Sequence, residues 1–138
     1  MIDETLHSWE KHMNNQSRKA EDMLPLTPAV LHILLALADG ERHGYGIMQE
    51  VTRRAGGQVK MGPGTLYGSL KRMLADGLIE EAGERPDPAL DDERRRYYRL
   101  TSFGLRVMQA EVLRLHQIVL LAQSKQVMGG SEAIGGLS

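Results

Sequence analysis

The sequence predicts a mainly α-helical protein that carries one small β-hairpin. Between residues 27 and 76, three successive stretches place apolar residues at helical spacing. Residues 78–84 and 94–100 then read as two strands around a loop that is rich in Pro and Asp. Three helices followed by a hairpin are the order of elements in a winged helix-turn-helix. We therefore predict that fold, with one further helix on each side of it.

The first two helices of this arrangement have clear boundary signals. Thr27 is a suitable N-cap, Pro28 fits the first helical turn, and Gly40 suits the position after the helix end. A second helix is predicted over about residues 44–55, and its last turn carries cations that suit the helix dipole. The first helix directs four apolar residues to a core: Val30, Ile33, Leu34 and Leu37. The core of the domain is expected between these helices and the next one.

The third helix, predicted from Gly62 to Asp76, has two contrasting faces. Its apolar stripe, which must be buried, consists of Leu66, Leu70, Met73 and Leu74. Its opposite face consists of Gly64, Gly68 and Ala75, flanked by Thr65, Tyr67, Lys71 and Arg72. Each glycine inside a helix costs about 1 kcal/mol relative to alanine, so two on one face indicate close approach to a bulky ligand. A helix in the DNA major groove needs that clearance, together with cations and hydroxyls.

Two other interpretations of this helix remain open. An amphipathic helix with Lys and Arg outside is most often an ordinary solvated surface helix. A winged helix can also bind another protein instead of nucleic acid, since the fold alone does not determine function. The formal net charge of −1 at pH 7 favours that second alternative, because DNA-binding surfaces are usually basic. The small-residue face with Lys71 and Arg72 favours DNA.

The distribution of charge along the chain is more informative than its sum. Seven acidic residues lie on the hairpin: Glu80, Glu81, Glu84, Asp87, Asp91, Asp92 and Glu93. Six cations are predicted to share one face: Lys60, Lys71, Arg72, Arg94, Arg95 and Arg96. An acidic hairpin tip is a poor probe of DNA, because phosphates repel it. We therefore expect the base of the returning strand, not the tip, to contact the phosphate backbone.

The segment from Phe103 to Lys125 predicts a dimerisation helix. Apolar residues with alternating spacings of three and four form a coiled-coil-type seam: Leu105, Met108, Val112, Leu115 and Val119. The alternative is a helix packed on its own domain. Residues 118–122 are apolar around most of the helix, however, which is more than a small domain can cover.

A helix over residues 1–24 is expected to support the dimer, with Trp9 at the interface or in the core.

The chain divides by composition into four parts. Residues 1–25 form the N-terminal helix, 26–100 the winged helix-turn-helix, 101–126 the dimerisation helix, and 127–138 a Gly- and Ser-containing tail that we expect to be disordered. No apolar run approaches the length that spans a membrane, and the N-terminus lacks a signal-peptide pattern. The expected location is the cytoplasm.

No feature of the sequence favours an enzyme. The chain has no cysteine, and its five histidines show no metal-ligand spacing. Residues 62–68 superficially suggest a phosphate-binding loop, but no Lys-Ser or Lys-Thr pair follows the last glycine. We therefore expect no catalytic residues, no metal and no cofactor.

Several linked motifs resemble the PadR family of bacterial transcriptional regulators. They are His43-Gly-Tyr-Gly-Ile47, Gly64-Thr-Leu-Tyr67 followed by Leu70-Lys-Arg-Met-Leu74, Gly77-Leu-Ile79, and Arg96-Tyr-Tyr-Arg-Leu-Thr101. Their order and spacing cover roughly residues 26–121. The resemblance implies a homodimeric repressor with a winged-helix DNA-binding domain and a C-terminal dimerisation helix. The residues that the resemblance implies to lie near DNA are Tyr45, Thr65, Tyr67, Lys71 and Arg72.

The resulting prediction is a homodimeric repressor of a palindromic operator. Its partners are double-stranded DNA and a second copy of the chain. Small aromatic or drug-like effectors are known in parts of the family that this chain resembles. A small hydrophobic or aromatic effector is therefore a further candidate partner. The expected place for it is the crevice between the C-terminal and N-terminal helices, beside Trp9 and Met13. A closed dimer core without a cavity is the alternative.

Overall fold

The computed structural model describes residues 19–54, 56, 59–86 and 94–127, and these form four helices and one small sheet. The helices are α1 (Pro28–Leu37), α2 (Gly44–Arg54), α3 (Pro63–Ala75) and α4 (Ser102–Ser124). The strands are β1 (Arg42–His43), β2 (Ile79–Pro86) and β3 (Arg94–Leu100), and a short 3-10 helix at Ala20–Met23 precedes them all. The predicted class, mainly helical with a small antiparallel sheet, is confirmed.

Threonine side chains begin two of the helices. The Thr27 hydroxyl accepts a hydrogen bond from the Val30 amide at 3.2 Å, and Pro28 follows it as the first residue of α1. The Thr101 hydroxyl accepts from the Gly104 amide at 2.9 Å and donates to the Gly77 carbonyl at 2.5 Å. Thr101 therefore caps α4 and also holds that helix against the turn that ends α3, where Gly77 has a φ of 74°.

The sheet has one strand more than the predicted hairpin. Strand β3 lies between β1 and β2, and both pairings are antiparallel. Arg42 and His43 of β1 pair with Tyr98 and Tyr97 of β3. A two-residue strand carries no periodic pattern, so sequence periodicity could not reveal it. This strand attaches the start of α2 to the sheet.

One hydrophobic core joins the three helices of the domain to the sheet and to the first half of α4. Its most deeply buried side chains are Ile33, Leu34, Ile47, Val51, Leu66, Leu70, Met73, Leu78, Ile79 and Val107. A Cβ added at Gly104 would lie 1.9 Å from the Leu78 carbonyl oxygen, so only glycine permits the contact between α4 and the backbone before β2. The N-terminal part of α4 therefore belongs to the domain.

The two ends of α4 have different surroundings. Val107, Met108 and Glu111 are buried against the domain, whereas the large apolar residues from Val112 onward are exposed. Glu111 accepts a hydrogen bond from the Leu26 amide at 2.7 Å and also pairs with Arg114, which fastens the start of the domain to α4. Within the described residues, no helix is both long and apolar enough to span a membrane.

Candidate nucleic-acid interface

Helix α3 buries its apolar stripe and presents the small-residue face to solvent. Leu66, Leu70 and Met73 are at most 1% exposed. Gly64, Thr65, Gly68, Lys71 and Arg72 are all exposed. A Cβ placed on Gly64 or on Gly68 would meet nothing within 4 Å, so neither glycine is required by packing inside the protomer. The open space above both glycines is consistent with close approach of a bulky ligand from outside.

The cations on and before α3 are not engaged by carboxylates. Lys60, Lys71 and Arg72 are exposed, and none of them forms an ion pair with any residue that the structure describes. The Gly62 N-cap offers no side-chain hydrogen bond to the first turn of α3. Positive charge at this face is therefore available for an external anion.

The His43-Gly-Tyr-Gly motif builds the start of α2, which lies against α3. The Nδ1 atom of His43 accepts a hydrogen bond from the Gly46 amide at 2.9 Å, so His43 acts as a side-chain cap for α2. Gly44 lies beneath the ring of Tyr67, whose hydroxyl would be 2.9 Å from a Cβ at that position. Tyr45 is 45% exposed and Tyr67 is 49% exposed. The motif thus brings the start of α2 against the Tyr67 ring, and both Tyr67 and Tyr45, the residue after Gly44, are half-exposed.

The three consecutive arginines of β3 do not share one face, contrary to the expectation from sequence. Successive side chains of a strand point to opposite faces, so Arg95 points away from its two neighbours. Arg94 donates to the Glu84 carbonyl at 2.9 Å, and Arg96 pairs with Glu81 at 3.3 Å. Arg95 lies with its guanidinium 5.7 Å from the centre of the Tyr45 ring, and its buried Nε has no hydrogen-bond partner among the described residues. Arg95 thus lies beside Tyr45 at the edge of the predicted interface.

Other arginines of the sheet are neutralised by acidic neighbours. Arg99 donates to Glu80 at 2.8 Å and lies 3.4 Å from Glu41, which also accepts from Arg85 at 2.8 Å. The hydrogen bond from Arg85 holds the pKa of Glu41 below its ordinary value, and Arg99 acts in the same direction. The acidic residues of the predicted hairpin tip, 87–93, lie outside the described residues. In the described part of the sheet, carboxylates cancel much of the arginine charge.

A buried carboxylate that the sequence did not reveal organises α2. Glu50 is 7% exposed and pairs with Arg53 and with Arg54, the latter at 2.8 Å. The hydrogen bond from Arg53 lowers the pKa of Glu50 despite its burial. The sequence suggested only that Arg53 and Arg54 interact with the helix dipole, but both also pair with Glu50. The signal in the sequence was a glutamate at i−3 and i−4 from two cations.

The predicted dimer seam divides into exposed residues and one buried residue. Leu105, Val112, Leu115 and Val119 are 37–46% exposed on the protomer. Met108 is 7% exposed and belongs to the protomer's own core, so the sequence assignment of Met108 to the seam is corrected. Spacings of three and four occur on both faces of α4, which explains the misassignment. Trp9 and Met13 lie outside the described residues.

Two further observations bear on ligands. A cavity of about 430 Å³ lies between the 3-10 helix and α4, lined in part by Leu24, Pro25, Leu113 and Arg114. Among the residues that the structure describes, no group of three or more His, Asp or Glu side chains is arranged to hold a metal ion.

Comparison with known proteins gives one family and several relatives. The model of the transcriptional regulator PadR-like family matches residues 33–110, more than half of the chain. The chain is 33% identical over 106 residues to the transcriptional regulator Rv3488 of Mycobacterium tuberculosis, covering 77% of this chain and 88% of that protein.

Solved structures support the same architecture. A PadR family regulator from Clostridium difficile R20291 is similar with a TM-score of 0.62 and 24% identity, over 72% of this chain and 99% of that chain. Bacillus subtilis PadR, solved in complex with operator DNA, is similar with a TM-score of 0.53 and 22% identity, over 60% of this chain and 45% of that chain. At these identities, the two structures establish the fold.

Proposed function

This chain belongs to the PadR-like family of transcriptional regulators, and from that premise we propose that it is a homodimeric repressor that reads a palindromic operator with α3. The observation that carries the proposal is the exposed face of α3. That face combines two glycines with open space above them and two cations without an ion-pair partner among the described residues. The solved complex of Bacillus subtilis PadR with operator DNA supports it, since that protein shares the fold.

Each part of the proposed interface has a distinct task. The small residues Gly64 and Gly68 let the α3 backbone approach the floor of the major groove. Lys71 and Arg72 contact phosphate or guanine, and Thr65 and Tyr67 supply hydroxyl groups. At the edges, Lys60, Tyr45 and Arg95 contact the flanking phosphates. Arg94 and Arg96 lie on the same strand as Arg95, but their guanidinium groups are bound by neighbours in β2.

The dimer in this proposal forms through the exposed half of α4. Leu105, Val112, Leu115 and Val119 line one side, and further apolar side chains on the helix are also exposed. A row of large exposed apolar side chains is unfavourable in water and marks a surface that binds another protein. Burying it against a second copy gives a two-fold dimer, whose α3 helices would face half-sites about one turn of DNA apart.

Four segments of the chain divide these tasks in the proposal. Residues 26–100 act as the DNA-binding unit and 101–126 as the dimerisation helix. Residues 1–25, with Trp9, reinforce the dimer, and 127–138 form the tail. The protein acts in the cytoplasm and needs no cofactor or catalysis.

An effector would act through unequal affinity for the DNA-competent and incompetent dimers. The cavity of about 430 Å³ lies beside α4, the helix that would form one wall of the expected effector crevice.

Selection from a random-sequence DNA library tests the function. The purified full chain is expected to enrich an imperfect inverted repeat, and planar aromatic compounds are expected to release that DNA while quenching Trp9, the only tryptophan. Release without an effect on Trp9 fluorescence would move the effector site elsewhere. Recovery of no common sequence would contradict the repressor and favour the alternative, a winged helix that binds protein.

Replacing Leu115 with aspartate tests the assembly. Leu115→Asp places an unpaired charge in the proposed seam, and burial of such a charge costs several kcal/mol. Sedimentation is expected to give a dimer for the wild type and a monomer for the variant, with weaker operator binding. Gln109→Asp, a substitution at another exposed position of α4, serves as the control. A wild type that sediments as a monomer at micromolar concentration would contradict the proposal.

A further inference from the structure

Tyr67 lies where α2, α3 and β3 meet. Its ring contacts the backbone of Gly44 at the first residue of α2, although Tyr67 itself belongs to α3. Burial raises the pKa of Tyr98 on β3, and the nearby Tyr67 phenol acts in the same direction. About half of Tyr67 is still exposed, on the edge of the face proposed to meet DNA. The neighbours of the Tyr67 ring thus include residues of α2 and β3, outside its own helix.

Gly44 leaves room for this ring in a way that no other residue can. A Cβ at position 44 would lie 2.9 Å from the Tyr67 hydroxyl oxygen, 3.1 Å from Cε1 and 3.2 Å from Cζ. The first distance is shorter than real Cβ contacts and the other two are tight, so either the backbone or the ring would have to move. The ring is the outer end of a side chain that can rotate, whereas α2 is held by the core and by β1. An added methyl group therefore displaces Tyr67.

The geometry of α3 indicates where a displaced ring would go. Side chains of a helix lean toward its N-terminus, over the residues three and four positions earlier. For Tyr67 these residues are Gly64 and Pro63, and the space above Gly64 is empty to 4 Å. A ring moved off Gly44 can thus cover the small-residue surface at the start of α3. That surface is the part of α3 through which the proposed function requires close contact with DNA.

We propose that Gly44 is a positioning residue for DNA reading, because it holds Tyr67 against α2 and so keeps the Gly64 surface clear. The inference rests on the proposed function of α3. Gly44 touches no DNA in this arrangement and acts entirely through Tyr67. Position 44 therefore needs glycine for two reasons. A glycine fits the start of α2, and it also keeps the recognition surface clear.

Gly46 provides a matched control on the same helix. A Cβ at Gly46 would meet the His43 ring at 3.3 Å, and its three nearest neighbours are all atoms of His43 and not of Tyr67. Both glycines lie in the first turn of α2, so an alanine at either position alters that turn. Only the alanine at position 44 collides with Tyr67. A difference between the two substitutions thus separates positioning of Tyr67 from any general effect on α2.

A double-mutant cycle with Tyr67→Ala tests the inference. Affinities of Gly44→Ala, Tyr67→Ala and the double variant are measured on DNA selected by the wild-type chain, with thermal melting as the check on folding. Gly44→Ala is expected to weaken binding by about tenfold in the wild-type background and hardly at all in the Tyr67→Ala background. Gly46→Ala is expected to have equal effects in both backgrounds. Gly44→Ala is also expected to enrich a different sequence in a new selection.

The outcomes separate this inference from the function on which it rests. If the wild type selects an operator but Gly44→Ala weakens binding equally in both backgrounds, the positioning role of Gly44 is wrong and the repressor stands. Unchanged binding and sequence preference in a folded Gly44→Ala variant would overturn the inference as well. If the wild type selects no DNA sequence, the proposed function fails and this inference fails with it.

Discussion

The cations of α3 and most arginines of the sheet differ in their surroundings. Lys71 and Arg72 of α3 have no carboxylate partner within the described part of the chain. In the sheet, Arg99 pairs with Glu80 and Glu41, and Arg96 pairs with Glu81. The difference shows that the position of each carboxylate, and not the number of cations, determines which surface is positive.

This contrast shows how a nearly neutral chain can present a surface suited to the proposed DNA binding. The formal net charge of −1 counts every arginine and glutamate equally. Pairs within the sheet contribute little to the external field because their charges cancel at short distance. The unpaired cations of α3 then remain as a local positive patch beside two open glycines. A local patch of this kind is sufficient to favour phosphates at the surface where it lies.

The largest effect is expected from filling the space over α3. Gly68→Leu adds a bulky side chain where a Cβ meets nothing in the protomer, so the fold is retained while docking of α3 in the groove is blocked. Operator affinity is expected to fall to the level of non-specific binding, a loss of roughly a thousandfold. Thr52→Leu, which adds the same side chain to an exposed site of α2, is the control. Full operator affinity in a folded Gly68→Leu variant would remove α3 from the interface.

The next effect distinguishes a free arginine from a paired one. Arg72→Ala is expected to cost about 1–3 kcal/mol of operator binding if Arg72 contacts a base. Arg99→Ala is expected to leave operator binding unchanged and to change the melting temperature little, because exposed ion pairs contribute little to stability. Mobility shifts and thermal melting of both variants provide the comparison. The reverse ranking for operator binding would show that the sheet, and not α3, supplies the charge.

A smaller effect is expected when acid breaks the pairs in the sheet. The pKa of Glu41 in the folded chain lies below its ordinary value of 4.5, mainly because Arg85 donates to it. The ionised form is thus favoured by folding, so its stabilisation is present above pH 4.5 and is lost as the pH falls through the lowered pKa. Melting temperatures between pH 7 and pH 3 are expected to fall less in Glu41→Gln than in the wild type. Identical slopes in the two proteins would contradict this account.

Much of this architecture follows from local signals in the sequence. Thr27 begins α1 as predicted, and Thr101 begins α4 by the same chemistry, because N-cap hydrogen bonds depend only on residues within one turn. The two faces of α3 also follow from helical spacing, since burial of Leu66, Leu70 and Met73 leaves the glycines outside. These features could be predicted because each is determined within a single element.

The features that the sequence did not reveal depend on contacts between elements. Gly44 packs against the ring of Tyr67, which belongs to another helix. Strand β1 exists only through its pairing with β3. Met108 has the spacing of the seam, but the start of α4 is pressed against the domain at Gly104, which rotates Met108 into the core. A pattern within one helix cannot distinguish a partner subunit from the rest of the protomer when both faces are apolar.

The salt dependence of operator binding tests the central claim most directly. Each phosphate contact releases counterions, so the logarithm of affinity falls with the logarithm of salt concentration, by about 0.9 per contact. We predict a steep slope for the wild type, a slope shallower by about 1 for Lys71→Ala, and an unchanged slope for Arg99→Ala. A slope near zero for the wild type, or one that flattens in Arg99→Ala but not in Lys71→Ala, would contradict the assignment of the phosphate-binding charge to α3.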